Sequence, residues 1–125
     1  MIYGIGRFSE ITGFNAPTLR YYEQEGLIMV ERDSCGRRFY TDKDIEWVQF
    51  IRRLKEMGMK IKNIQEYARL RYRGDSTIKQ RLAILLEHKT AVLAEKKKWE
   101  NNLQQLELKI GIYKKSLSKE HLGEP

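Results

Sequence analysis

Few side chains in this sequence could make or break bonds, and those few are scattered. The single cysteine, Cys35, lies between Ser34 and Gly36, and the two histidines, His88 and His121, are far apart with no cysteine nearby. No nucleophile–base pair, phosphate-cradling glycine loop or metal-ligand spacing emerges, so no enzyme, metal or cofactor is expected. The residues with a recognisable task are recognition residues. They lie in Asn15-Ala16-Pro17-Thr18-Leu19-Arg20-Tyr21-Tyr22-Glu23-Gln24-Glu25-Gly26. Asn15 is an N-cap type, Pro17 suits a first helical turn, and Gly26 suits a left-handed stop. Leu19, Tyr22 and Glu23 share one side of such a helix, and Thr18, Arg20, Tyr21 and Gln24 point elsewhere. Those outward types contact phosphates and base edges, and arginine can bond guanine bidentately. The competing reading is an amphipathic core helix with a solvated arginine, so the flanking elements must decide.

The elements around this stretch favour DNA. Ile5, Phe8 and Ile11 recur at helical spacing and predict a first short helix over 5–12 with those three facing a core. Gly13-Phe14 turns the chain into the second helix, which gives a helix-turn-helix whose second helix enters the major groove. Leu27 to Arg32 reads as a strand, Asp33-Ser34-Cys35-Gly36 as a turn, and Arg37-Arg38-Phe39-Tyr40 as a returning strand. The hairpin is a wing whose Arg37 and Arg38 can contact phosphates flanking the groove. Thr41 and Asp44 cap a third helix, which Gly58 closes. A fourth runs from Met59 to Arg73, with Ile61, Ile64, Tyr67 and Ala68 inside.

Net charge and the remaining third of the chain fit this picture. The sequence carries +7 at neutral pH, with 14 basic and 11 acidic side chains in residues 1–75 and 10 and 6 after them. That balance suits a polyanionic partner. From Ser76 to Leu117 a 4,3-spaced template selects Ile78, Leu82, Leu85, Lys89, Val92, Lys96, Trp99, Leu103, Leu106, Ile110, Tyr113 and Leu117. Only the two lysines break the apolar seam, so a coiled-coil helix roughly 60 Å long is expected. A seam of that length needs a partner, and a homodimer supplies one. No apolar run approaches ~18 residues, so no membrane span is expected. The lone cysteine and the absence of a signal-peptide pattern point to a reducing cytoplasm.

Taken together, Thr18-Leu19-Arg20-Tyr21-Tyr22-Glu23, Gly26-Leu27-Ile28, Arg32, Arg38-Phe39-Tyr40, Asp44-Ile45 and Leu54-Lys55-Glu56-Met57-Gly58 resemble the MerR family of bacterial transcription regulators in order and spacing. The resemblance covers about residues 3–117. Val30 departs from it, standing where family members often carry proline. The resemblance implies a mostly α-helical fold: a winged helix-turn-helix with a second helix pair over 1–75, a dimerisation helix over 76–117 in an antiparallel coiled coil, and a polar tail over 118–125. It looks like a small form without a separate effector domain. Thr18, Arg20 and Tyr21 then look like recognition contacts, Arg37, Arg38 and Tyr40 like wing contacts or their support, and Lys55 like a phosphate contact. The implied partners are double-stranded promoter DNA, a second copy of the chain, and RNA polymerase on the same promoter, on the bacterial nucleoid. An effector would make the dimer bend and untwist an overlong promoter spacer. Small stress-sensing members often place a cysteine where Arg53 stands here, which argues against thiol sensing by that route. Tyr67, Tyr72 and Trp99 are candidates for lining a small apolar effector pocket between the second helix pair and the partner's coiled coil, with ordinary packing as the alternative. An effector-independent architectural role of the excisionase type is the second functional reading.

Overall fold

The computed structural model describes residues 1–122, in two units: Met1–Leu86, and a second beginning at Glu87. In chain order the elements are strand β1 (Ile2–Tyr3), helix α1 (Ile5–Thr12), helix α2 (Ala16–Gln24), strands β2 (Glu31–Arg32) and β3 (Arg38–Thr41), helices α3 (Asp42–Glu56) and α4 (Ile61–Arg73), a 3-10 turn (Asp75–Thr77) and helix α5 (Ile78–Leu122). The first unit carries the core and the wing. The sequence divides more naturally at 75, but Ile84 and Leu85 of α5 pack on the first unit's core. Residues 118–122, expected as tail, continue the helix, and 123–125 lie outside the described residues.

Helices α2 and α3 form where cap and periodicity agree. The Asn15 side chain accepts the Thr18 N–H at 2.8 Å, and Pro17 occupies the first turn. At the other end Gly26 adopts φ +76°, and the Gly26 and Leu27 N–H groups bond the Glu23 and Tyr22 carbonyls at 3.1 and 2.9 Å. That paired closure satisfies carbonyls a helix end otherwise leaves bare, and glycine reaches the left-handed conformation without a Cβ clash. Gly58 closes α3 in the same way: its N–H bonds the Lys55 carbonyl and the Met59 N–H bonds the Leu54 carbonyl. Asp44 starts α3, accepting the Thr41 N–H at 2.8 Å and its hydroxyl at 3.2 Å.

The sheet differs from the expected hairpin in two respects. It has three antiparallel strands in the order β1-β3-β2, with Tyr3 opposite Tyr40 and Arg32 opposite Arg38. Strand β1 comes from the N-terminal residues, which are too few to give a periodic signal. Residues 27–30, expected as strand, are irregular. Leu27 and Ile28 are buried, and the groups that a ladder would use are taken elsewhere. The Leu27 carbonyl accepts the Trp47 indole N–H at 2.9 Å, and the Met29 N–H donates to the Tyr72 hydroxyl at 3.1 Å.

The core joins Phe8, Leu19, Tyr22, Leu27, Val48 and Ile51 with Leu54, Ile64 and Ala68. Two residues placed inside by spacing alone are exposed: Ile11 at 36% and Ile61 at 38%. In α1 the position beside Ile11 is taken by Thr12, which is buried because its hydroxyl donates to the Phe8 carbonyl at 2.8 Å and accepts the Phe14 N–H at 3.3 Å. Among the described residues no helix is long and apolar enough to cross a membrane.

Candidate nucleic-acid interface

Helix α2 is held by its inner face and free on its outer one. Leu19 and Tyr22 are buried, while Arg20, Tyr21 and Gln24 are exposed and Thr18 is half-buried. No ion pair among the described residues engages Arg20. On a helix fixed at both ends, the Arg20 guanidinium and the Tyr21 phenol, whose ring meets only Tyr22 at 6.2 Å, face outward without an ion-pair partner among the described residues. That arrangement suits base edges and phosphates.

The wing is latched to this helix. Glu23, which the spacing put on the packed side, accepts Arg38 Nε at 2.7 Å and Arg32 Nη2 at 3.5 Å, and so ties α2 to both wing strands. The Glu23 carboxylate holds the Arg38 guanidinium more firmly protonated than usual. Arg38 is thus committed to position, whereas Arg37 is 78% exposed at its side chain. In the turn, the Asp33 carboxylate accepts the Arg37 and Cys35 N–H groups, both at 2.9 Å, and meets Arg37 Nε at 3.3 Å. These donors hold Asp33 below the ordinary carboxylate range. Cys35 is exposed at the turn.

Tyr40 is 1% exposed, so its ring supports the wing from inside instead of lying on the surface. It stacks on Phe8 with centroids 4.1 Å apart and planes 6° from parallel. Its hydroxyl is buried without a hydrogen-bond partner among the described residues. Burial raises its pKa, opposed by Arg38 and Arg20 and reinforced by Glu23 and Asp44. Lys55 is exposed, with its ammonium 3.2 Å from the Tyr22 hydroxyl and 5.1 Å from that ring's centroid, and so presents charge beside α2. Arg52, part of the same basic group in sequence, is occupied: its Nη2 donates to the Thr12 carbonyl at 2.7 Å, at the end of α1. It also lies over Phe14. Cations at a helix C-terminus complement its dipole, and this one serves α1, not its own helix.

The three aromatic candidates are divided between the two units. Tyr67 is a core residue, 8% exposed and stacked on Trp47 at 5.8 Å. Tyr72 meets Trp47 edge-on at 6.5 Å and lines a cavity of about 270 Å³ in the first unit. Trp99 belongs to the second unit, where it is 64% exposed on α5. The cavity, which spacing gave no means to find, opens between the wing root, the start of α3 and the end of α4. In the second unit, Leu103, Leu106, Ile110, Tyr113 and Leu117 are exposed along α5 at the predicted seam positions.

A capped helix with outward polar side chains, a turn from a preceding short helix and a basic β-wing latched alongside define a winged helix-turn-helix DNA-binding protein. Residues 3–70 match the model of the MerR HTH family regulatory proteins, and residues 45–108 match that of the MerR DNA-binding region. The chain belongs to the MerR family of helix-turn-helix transcriptional regulators, and it is a regulator and not an enzyme. An uncharacterised HTH-type transcriptional regulator of Haemophilus influenzae is 36% identical over 117 residues, covering 93% of this chain and 87% of the relative. Among solved structures, HiNmlR, a MerR family regulator lacking the sensor domain and bound to promoter DNA, aligns with a TM-score of 0.79 at 35% identity over 94% of both chains. A structure from Listeria monocytogenes assigned to the same family aligns with a TM-score of 0.87 at 29% identity, over 97% of this chain and 94% of that one.

Proposed function

We propose that this regulator acts as a homodimer on a pseudo-palindromic promoter element and, in response to an effector or stress signal, bends and untwists the spacer between the polymerase recognition hexamers. The observation that carries the reading is the outward Arg20 and Tyr21 on a helix that Glu23 fixes to the basic wing. In this reading Arg20 reads a base edge, Thr18 and Tyr21 flank it, and Arg37 and Lys55 take phosphates. Arg38 and Tyr40 hold the wing in place. A second copy covers the α5 seam, since a long exposed apolar row is costly in water. Binding to promoter DNA by HiNmlR supports the choice of partner. Deformation of the spacer realigns the hexamers for RNA polymerase on the bacterial nucleoid, and its cost depends on sequence-dependent DNA stiffness.

Selection of bound duplexes from a randomised library, followed by footprinting, tests this. A two-fold symmetric site with both half-sites on one face and hypersensitive cleavage at its centre is the expected result. Binding without an enriched sequence that vanishes at moderate salt would sink the reading and leave non-specific attraction. Enrichment of an attachment-like site outside promoters would favour the architectural role.

A further inference from the structure

We infer that the cavity at the wing root is a binding site for a small monocarboxylate with a single-ring, largely apolar body. Two kinds of wall argue for it. Met29, Val30, Phe39 and Tyr72 supply apolar surface, and Arg71 and Lys43 supply positive charge. At about 270 Å³ the space falls just under the range of drug-sized pockets and suits a one-ring molecule.

The Arg71 guanidinium sets the ligand's sign. Arg71 is half-buried, with its guanidinium 4.5 Å from the Trp47 ring centroid and 5.1 Å from that of Tyr72. No ion pair among the described residues uses Arg71 or Lys43. A guanidinium oriented by two rings and left without a carboxylate is a prepared anion receptor. Two acidic residues also line the space, Glu31 and Asp44. Asp44 is engaged by the Thr41 N–H and hydroxyl at the start of α3. With two cations and two carboxylates the lining carries no net charge, so it offers a polyanion no net attraction, while a single carboxylate can be held locally by the Arg71 guanidinium. A DNA backbone is therefore a poor occupant, and a monocarboxylate a good one. The ring belongs against Phe39 and Met29, and the carboxylate against Arg71. Such a ligand would touch both wing segments and both helices behind them.

This inference goes beyond the DNA reading, and its test needs no DNA. Calorimetric titration of the full chain uses benzoate and phenylacetate, with benzamide and benzylamine as neutral and cationic controls. Saturable binding of at least one acid, at least tenfold tighter than both controls, is expected. Arg71→Gln should weaken it tenfold or more, and Lys43→Gln, on the exposed side, severalfold. Circular dichroism and thermal melting check that both variants fold. If Arg71→Gln unfolds the chain, Lys43→Gln alone decides. No binding by any acid at millimolar concentration, equal binding of the controls, or undiminished binding by the folded variants would overturn the proposal. So would displacement of the acid by duplex DNA, which would make the surface a phosphate contact. A failed titration leaves the operator selection untouched, and a failed selection leaves the titration untouched.

Discussion

Glu23 of the recognition helix and Arg38 of the central wing strand meet at 2.7 Å, both side chains about a quarter exposed. One carboxylate thereby sets the distance between helix α2 and the wing. Arg32 shares the same carboxylate from the neighbouring strand at 3.5 Å. Replacing Glu23 by Ala should lower stability by about 1 kcal/mol, because it leaves the partly buried Arg38 guanidinium without its carboxylate and Arg32 with only the Gly36 carbonyl. Denaturant unfolding measures this. The two arginines become free for phosphates, so non-specific affinity should rise while the preference for the selected operator falls.

Arg20 and Arg37 are separable by sequence dependence. Arg20→Ala should cost ~1–3 kcal/mol on the selected operator and little on random duplex. Arg37→Ala should weaken binding to both alike and reduce the salt slope by about 1. Titrations of the two duplexes at three salt concentrations distinguish these outcomes, and equal losses for Arg20→Ala would make it a phosphate contact.

Tyr40→Phe tests whether that residue is support. Its ring stacks on Phe8, and its buried hydroxyl has no partner among the described residues. Removing an unsatisfied buried hydroxyl while keeping the ring should leave stability unchanged or raise it by about 1 kcal/mol. Operator affinity should hold. A large loss of affinity with unchanged melting temperature would put the hydroxyl on a phosphate.

The wing turn should respond to acid. Asp33 is held below its ordinary value of 3.8, first by the Arg37 N–H and then by that of Cys35. A carboxyl whose folded pKa is depressed stabilises fully above its unfolded pKa, and that contribution is lost as pH falls through the folded value. The turn should therefore stay intact through the ordinary carboxylate range and loosen only below it. The amide resonances of Cys35 and Arg37 should shift together with a midpoint below 3.8. In Asp33→Asn that transition should disappear.

The seam should govern assembly. Leu103 and Leu106 are 53% and 57% exposed in the single chain. Substituting both with Asp should shift sedimentation from dimer to monomer and abolish footprinting of a symmetric site. The first unit should keep its melting signature, because its core does not draw on residues 103–106.

Much of this molecule was legible in local chemistry. Asn15, Pro17 and Gly26 mark the bounds of α2 because capping and left-handed closure are decided by neighbouring residues, and Thr41, Asp44 and Gly58 do the same for α3. The row from Ile78 to Leu117 announces a long helix because its apolar period persists over many turns. The outward types in α2 were readable for the same reason, since spacing alone sets which residues share a helix face. Spacing does not say which contacts those faces make. The pairing of β1 with β3 joins residues 2–3 to 40–41, the Glu23 latch joins α2 to the wing, and Arg52 caps a helix other than its own. Each is a long-range contact whose partners carry no mutual signal in a single sequence. Periodicity also placed Ile11 and Ile61 inside. Packing left both exposed, Ile11 because Thr12 satisfies its hydroxyl within the turn and takes the buried place beside it. The wing-root cavity is likewise a property of tertiary structure alone, since its walls come from three stretches of chain that only folding brings together.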